Sequence, residues 1–274
     1  MRTEQVDGHH LTMVDGVAEL AAFLRARREQ IKPEDVGLVS HGRRRTPGLR
    51  REELATLAGI SVEYLERLEQ GRDTNPSIGI LTALADALRL SEDEKRHLAA
   101  LAVRRQGEGL LPRHRPEDEV RPSLRVLLDR LGQTPACLLG GTFDVIAWNG
   151  AWESIVRPLG FLDHDSPNLL RYHFLHPSAR RVFGEDWAST ADELVGWLRA
   201  IQADQGVDAA GAALVDELTA VPDFATRWTA HPVAYRRAGV TRLRHPDTGP
   251  IDVSIEILKA AESSHWLQVW VSYD

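Results

Sequence analysis

Within Ser61 to Leu68, a hydroxyl (Ser61), a branched aliphatic (Val62), a carboxylate (Glu63), a phenol (Tyr64) and a guanidinium (Arg67) accompany two leucines, Leu65 and Leu68. At helical spacing the leucines face inward, and the other five groups face out. A helix held that way can enter the major groove of DNA, where each base pair shows a distinct pattern of donors and acceptors. Leu54-Ala55, Gly59, then Leu65 and Leu68 is the spacing of two helices crossing through a short turn. Ala55 is small enough for the next helix to pack over it, and Gly59 supplies the turn. An αα-hairpin inside any helical bundle would show the same pattern. The neighbouring run favours DNA: Gly42 to Arg51 holds Arg43, Arg44, Arg45, Arg50 and Arg51 and no acid. Lysine occurs three times against thirty arginines, so the clustering says more than the choice of arginine.

Downstream, His173 and His176 stand three apart, with Asp163, His164 and Asp165 before them. A metal needs a third ligand at a telling spacing, and none is present; Pro177 also ends the helix after His176. There is no Gly-rich phosphate loop, no Gly-x-Ser-x-Gly elbow and no cysteine–histidine pairing. No catalytic residue, metal or cofactor is assigned. An apolar pocket with a few polar groups suits this half better. Trp148, Trp152, Trp187, Trp228, Trp266 and Trp270 could line a core or such a pocket. Arg171, His231 and His245 could hold a carboxylate, and each could equally be a structural residue.

The elements that must position these groups follow from periodicity and capping. Residues 1–13 read as a frayed tail. A helix then runs from Val17 to Gln30, ending before Lys32-Pro33. A second helix spans about Leu49 to Ala58 with Leu49, Leu54, Leu57 and Ala58 inward. Ser61 caps the third, Val62 to Gln70. Ser77 caps a fourth, with Ile78, Leu81, Leu84, Ala85 and Leu88 on one side. Ser91 and Glu94 form a capping box for a fifth. The all-α, DNA-binding part is expected over 14–105, a Gly/Pro-rich linker over 106–122, and an α+β part over 123–274. In the last, helices (Ser123–Leu131, Asp192–Ala203, Ala209–Thr219) mix with strand-like runs: Ala136–Leu139, Phe143–Trp148, Val233–Arg237, Val240–Arg244, Ile251–Leu258 and Trp266–Tyr273. Ile251, Val253, Ile255 and Ile257 should share one face.

The 274 residues suffice for two domains. Charged residues make up 27% and hydrophobic ones 43%, values of a folded chain. No apolar run is long enough to span a membrane, and the polar start is unlike a signal peptide. With one cysteine, Cys137, no intrachain disulfide can form. A cytoplasmic, nucleoid-associated protein is expected. Residues 1–115 hold 19 Lys+Arg against 18 Asp+Glu, whereas residues 116–274 hold 14 against 22. The acidity therefore sits in the second half and does not argue against DNA binding by the first.

The segment Leu49–Gly71, with Glu69-Gln70-Gly71 and Pro76-Ser77, resembles the helix-turn-helix of the Xre family (lambda-repressor-like). The longer runs Phe23–Glu29, Val36-Gly37-Leu38, Gly42–Glu53 and Arg67–Arg72 resemble one branch, the MmyB-like transcription regulators. Asp144–Asn149, Asp186-Trp187, Phe224 with Trp228 and His231, and His245-Pro246 with Gly249 resemble that branch's ligand-binding domain. The chain departs from it at Pro167-Asn168, where members often carry Arg-Asn. The resemblance implies a PAS-like C-terminal fold, a fatty-acid-like ligand and a homodimer.

By the same resemblance, Val62, Glu63, Tyr64 and Arg67, behind the Ser61 cap, sit where the family reads bases. Arg67 could bind guanine with two hydrogen bonds, Glu63 could accept from cytosine, and Val62 could meet a thymine methyl. Arg51 occupies the first position of the helix that grips the backbone. Arg43, Arg44, Arg45, Arg50 and Arg72 suit phosphates, which position a protein without specifying sequence. Trp148, Arg171, Phe174, Trp187, Trp228, His231 and His245 are the candidate ligand residues. The expected protein is a regulator that binds an inverted-repeat operator as a dimer and answers to a small apolar ligand. A regulator with another effector or none, and a DNA-tethered enzyme, are the alternatives.

Overall fold

Leu20, Phe23 and Leu24 are fully buried and fix the inner face of helix α1 (Gly8–Gln30). The computed structural model describes residues 8–38, 48–72, 75–106, 120–234, 239–261 and 263–271. The chain divides into two compact units, Met1–Pro112 with Gln202–Val207, and Arg113–Ile201 with Asp208–Asp274. α1 starts at Gly8, so residues 8–13 of the tail expected over 1–13 are helical, and residues 1–7 of it lie outside the described ones. No proline interrupts the stretch, and extending a formed helix costs far less than nucleating one.

The first unit is helical. After α1 come α2 (Arg51–Ala58), α3 (Val62–Glu69), α4 (Ile78–Ala87) and α5 (Glu92–Gln106). Gly59 ends α2 in the left-handed conformation (φ 65°), and Ile60 N donates back to Ala55 O at 3.0 Å. Ser91 and Glu94 exchange the two hydrogen bonds of a capping box, 2.7 and 3.3 Å. Two residues expected inward are not. Leu57 is 38% exposed, because Leu54, Ala55 and Ala58 already fill the inner side of this two-turn helix. Ile78 is 80% exposed: it is the first residue of α4, and the buried face (Leu81, Leu84, Ala85, Leu88) begins one turn later.

The second unit is α+β, with the PAS-like sheet and flanking helices expected of it. It comprises α6 (Pro122–Arg130), β1 (Ala136–Leu139), β2 (Val145–Trp148), α7 (Gly150–Val156), α8 (Leu169–Leu175), α9 (Ala179–Phe183), α10 (Trp187–Gln205) as far as Ile201, α11 (Ala209–Thr219), α12 (Pro222–Thr229), β3 (Gly239–His245), β4 (Gly249–Lys259) and β5 (Trp266–Val271). The sheet is antiparallel throughout in the order β2-β1-β5-β4-β3. Alternation along the strands splits the residues between two cores, except that the register shift opposite Leu138 and Leu139 lets Val145 and Ala147 of β2, two apart, face opposite ways. Ala136, Leu138, Ala147, Leu267 and Val269 pack with Leu128 of α6 on one face. Cys137, Leu139, Val145, Val253, Ile255 and Trp270 pack on the other with the remaining helices.

Two expected strands change. Phe143 falls outside β2, since it closes the β1–β2 turn at φ 67°, its N–H donating to Gly140 O at 3.1 Å. Val233 and Ala234 are not in a strand; they lie against Gly196, where an added Cβ would come within 2.7 Å of Ala234 N. Residues 235–238 of that expected strand lie outside the described ones. No helix among the described residues is long and apolar enough to cross a membrane.

Candidate functional site

In the first unit, α3 presents its face as its sequence requires. Ser61 is the N-cap, its Oγ accepting from Tyr64 N at 3.1 Å, which orients the first turn. Leu65 and Leu68 are buried, while Ser61, Glu63 and Arg67 are exposed and Val62 and Tyr64 half-buried. The Arg67 guanidinium lies 5.3 Å from the centre of the Tyr64 ring, so cation–π attraction can order an otherwise flexible side chain. Gln70 Nε2 donates to Glu66 Oε1 at 2.9 Å, keeping that carboxylate within the helix surface.

The C-terminal end of α3 is anchored by Glu69, whose side chain is fully buried. Arg28 of α1 donates through Nε to Glu69 Oε1 at 2.5 Å and through Nη2 to Oε2 at 3.1 Å. Arg28 Nη1 also reaches Leu49 O at 2.9 Å. Arg51, at the start of α2, donates through Nε to Glu69 Oε2 at 2.7 Å, and this bond raises its pKa above the ordinary arginine value. One carboxylate thus ties three helices. Sequence reading missed it because Arg28 and Glu69 are 41 residues apart and no local period links them. Arg51, expected at phosphate, is also part of this internal cluster. Gly48 is required beside it: a Cβ there would lie 2.4 Å from Glu29 O, where the chain passes over the end of α1. Arg50 and Arg72 are exposed at the ends of α2 and α3. Arg43, Arg44 and Arg45 lie outside the described residues.

The second unit holds a cavity of about 30 Å³ between sheet and helices. Thr241 and Leu243 reach it from β3, Ile255 from β4, and Gln268 and Trp270 from β5, each pair two apart and so on one face. Thr190 and Leu194 reach it from successive turns of α10. Phe161, Leu169 and Phe183 close the remainder. Asn168 sets Leu169: its Nδ2 donates to Thr142 O at 2.7 Å and Asp144 Oδ1 at 2.9 Å, and its Oδ1 caps α8. Tyr172 stacks on Phe161 at 3.7 Å and donates to Leu159 O at 2.7 Å, which fixes that wall. The cavity's lining is mostly apolar.

None of the seven candidate ligand residues lines this pocket. Arg171 is held outside it by Glu217, with Nε 2.9 Å from Oε2. His245 Nδ1 accepts from Asp247 N and Thr248 N at 3.2 and 3.3 Å and so closes the β3–β4 turn. His231 follows α12 at φ 51°. Trp187 stacks on His173 at 4.9 Å and lies under Arg180 at 3.8 Å; Phe174 packs edge-on to Trp187 and Phe224, and Phe224 stacks on Trp228. Trp148 Nε1 donates to Glu153 at 3.0 Å. The histidines weighed as metal ligands do not converge: His173 Nε2 meets Trp187 O at 2.9 Å, and His176 Nε2 meets Asp163 at 3.2 Å. Among the described residues no group of three such side chains could hold a metal.

Residues 120–273 match the family described as MmyB-like transcription regulator ligand binding domain, and residues 19–98 match a helix-turn-helix domain. No curated relative matches the chain.

Proposed function

The chain belongs to the MmyB-like transcription regulators, DNA-binding proteins with a ligand-binding domain, and on that premise we propose that it is a homodimer whose operator affinity is set by a small apolar, fatty-acid-like ligand. The exposed face of α3 carries the DNA half of this reading: Val62, Glu63, Tyr64 and Arg67 read bases from a helix capped by Ser61 and held by Glu69. Arg43, Arg44, Arg45, Arg50, Arg51 and Arg72 take phosphates. In this division of labour, 14–105 binds DNA, 106–122 links, and 123–274 binds ligand and dimerises. One such helix reads too few base pairs for genomic specificity, so two copies related by a twofold axis read an inverted repeat. The ligand half rests on the mostly apolar pocket under β3–β5. The chain transduces binding and performs no catalysis.

Selection from a random DNA library with the full chain tests the DNA half. Enriched sequences should contain two inverted half-sites about one or two helical turns apart, ~34 Å per turn. A single unrepeated site bound by a monomer would contradict the dimer. Enrichment of no sequence would contradict a sequence-reading α3.

A further inference from the structure

Helix α6 is apolar on two sides. Leu128 is buried, and Leu124 partly so, against the core on one face of the sheet. Val126 and Leu127 point the other way and are 57% and 44% exposed. A helix at a protein surface normally turns polar residues outward, and one that is apolar all round is covered on both sides. The apolar surface continues beyond the helix. Leu258 of β4 is 57% exposed and stands opposite Leu267, which belongs to the core under α6. Val240 of β3 is 67% exposed and is joined through Ser254 to Val271, which packs against the same core. Cross-strand partners share a face, so Val240 and Leu258 lie on the α6 side of the sheet.

The charges beside Leu127 fit a second copy of the same helix. Arg125 and Asp129 are exposed, one turn apart on one flank of α6, and neither has an ion pair among the described residues. They stand two residues to either side of Leu127. Two antiparallel copies related by a twofold axis at Leu127 therefore set Arg125 opposite the partner's Asp129, and the symmetry repeats the pair. Arg130 then falls beside the partner's Ser123, whose hydroxyl can accept from it. The two leucines meet on the axis. One nine-residue helix falls short of the roughly 800 Å² per partner that a stable interface buries, and Val240 and Leu258 extend the patch.

We propose that α6 and the adjoining β3–β4 face are where two copies of this chain meet, with the α6 helices antiparallel about Leu127. The assignment rests on the homodimer reading above and gives that dimer its surface.

Analytical ultracentrifugation of the full chain over a dilution series measures the dimer Kd, and circular dichroism checks that each variant is folded. The wild type should dimerise. Leu127→Asp sets two carboxylates together on the axis and should raise Kd at least about tenfold. Arg125→Glu, which opposes like charges twice, should raise it about threefold or more. Adding Asp129→Arg to Arg125→Glu should return Kd to within about twofold of wild type, which a purely local effect of either substitution would not do. If Leu127→Asp does not fold, the charge exchange decides alone. A folded Leu127→Asp chain that dimerises as tightly as wild type would overturn this surface. So would an exchanged pair no tighter than Arg125→Glu. Either result would leave the outer face of α6 to another segment or another protein, with the homodimer reading standing. A wild-type chain monomeric at every concentration would overturn both.

Discussion

Arg28 and Glu69 form a buried, two-point ion pair, with Arg28 Nε and Nη2 donating to the two carboxylate oxygens at 2.5 and 3.1 Å. The pair fixes α3 to α1, and Arg51 adds α2 through the same carboxylate. A helix of eight residues has little stability of its own, so this anchor decides whether its outer face holds one orientation.

Glu69→Ala removes one partner and leaves the Arg28 guanidinium buried, which should destabilise the first unit by about 3–5 kcal/mol. Urea unfolding followed by far-UV circular dichroism measures the loss. A change below about 1 kcal/mol, the value of an exposed pair, would mean that the cluster is hydrated in solution.

The arginines should separate by role. Arg67→Ala should cost roughly 1–3 kcal/mol on the selected operator and relax preference at one base position. Replacing Arg43, Arg44 and Arg45 together should weaken selected and random DNA alike, and lower the salt slope by up to ~0.9 for each phosphate that is no longer neutralised. Binding measured across a salt series distinguishes them. A triple variant that lost only sequence preference would reverse the assignment.

Tyr172 gives the second unit an alkaline limit. Burial pushes its phenol well above the ordinary value of 10.0, while the hydroxyl donates to Leu159 O. Above about pH 10 the unfolded chain releases this proton and the folded chain keeps it. The stability linked to this proton is therefore full below about pH 10 and is lost as pH rises through the folded value. The slope is at most ~1.4 kcal/mol per pH unit. Tyr172→Phe should flatten the decline between about pH 10 and 11 in urea titrations. An equally steep decline in the variant would place the alkaline limit on other groups.

What the sequence made legible was local. Ser61, Gly59, Leu65 and Leu68 announce a capped helix after a turn because caps and turns act within a single helical turn. Ile251 to Ile257 announce a strand face by alternation, and Ile255 does line the pocket. The rest is set by long-range packing. Phe161, Leu169 and Phe183 come from short segments whose placement depends on the Asn168–Asp144 bond and the Phe161–Tyr172 stack, and no periodicity marks them. Trp187 and Trp228 have the size of pocket walls. They are instead covered by Arg180 and Arg199, at 3.8 and 3.9 Å.

The central claim is that a molecule in the pocket changes DNA affinity, which requires it to bind two dimer geometries unequally. The direct measurement is a titration of the selected operator by the full chain, with and without saturating decanoate, in wild type and in Leu194→Trp, which fills the pocket. The account predicts a shift in operator Kd of about 5–150-fold in wild type, the usual span of allosteric coupling, and none in the variant. An unchanged Kd while fluorescence shows the pocket occupied would contradict it.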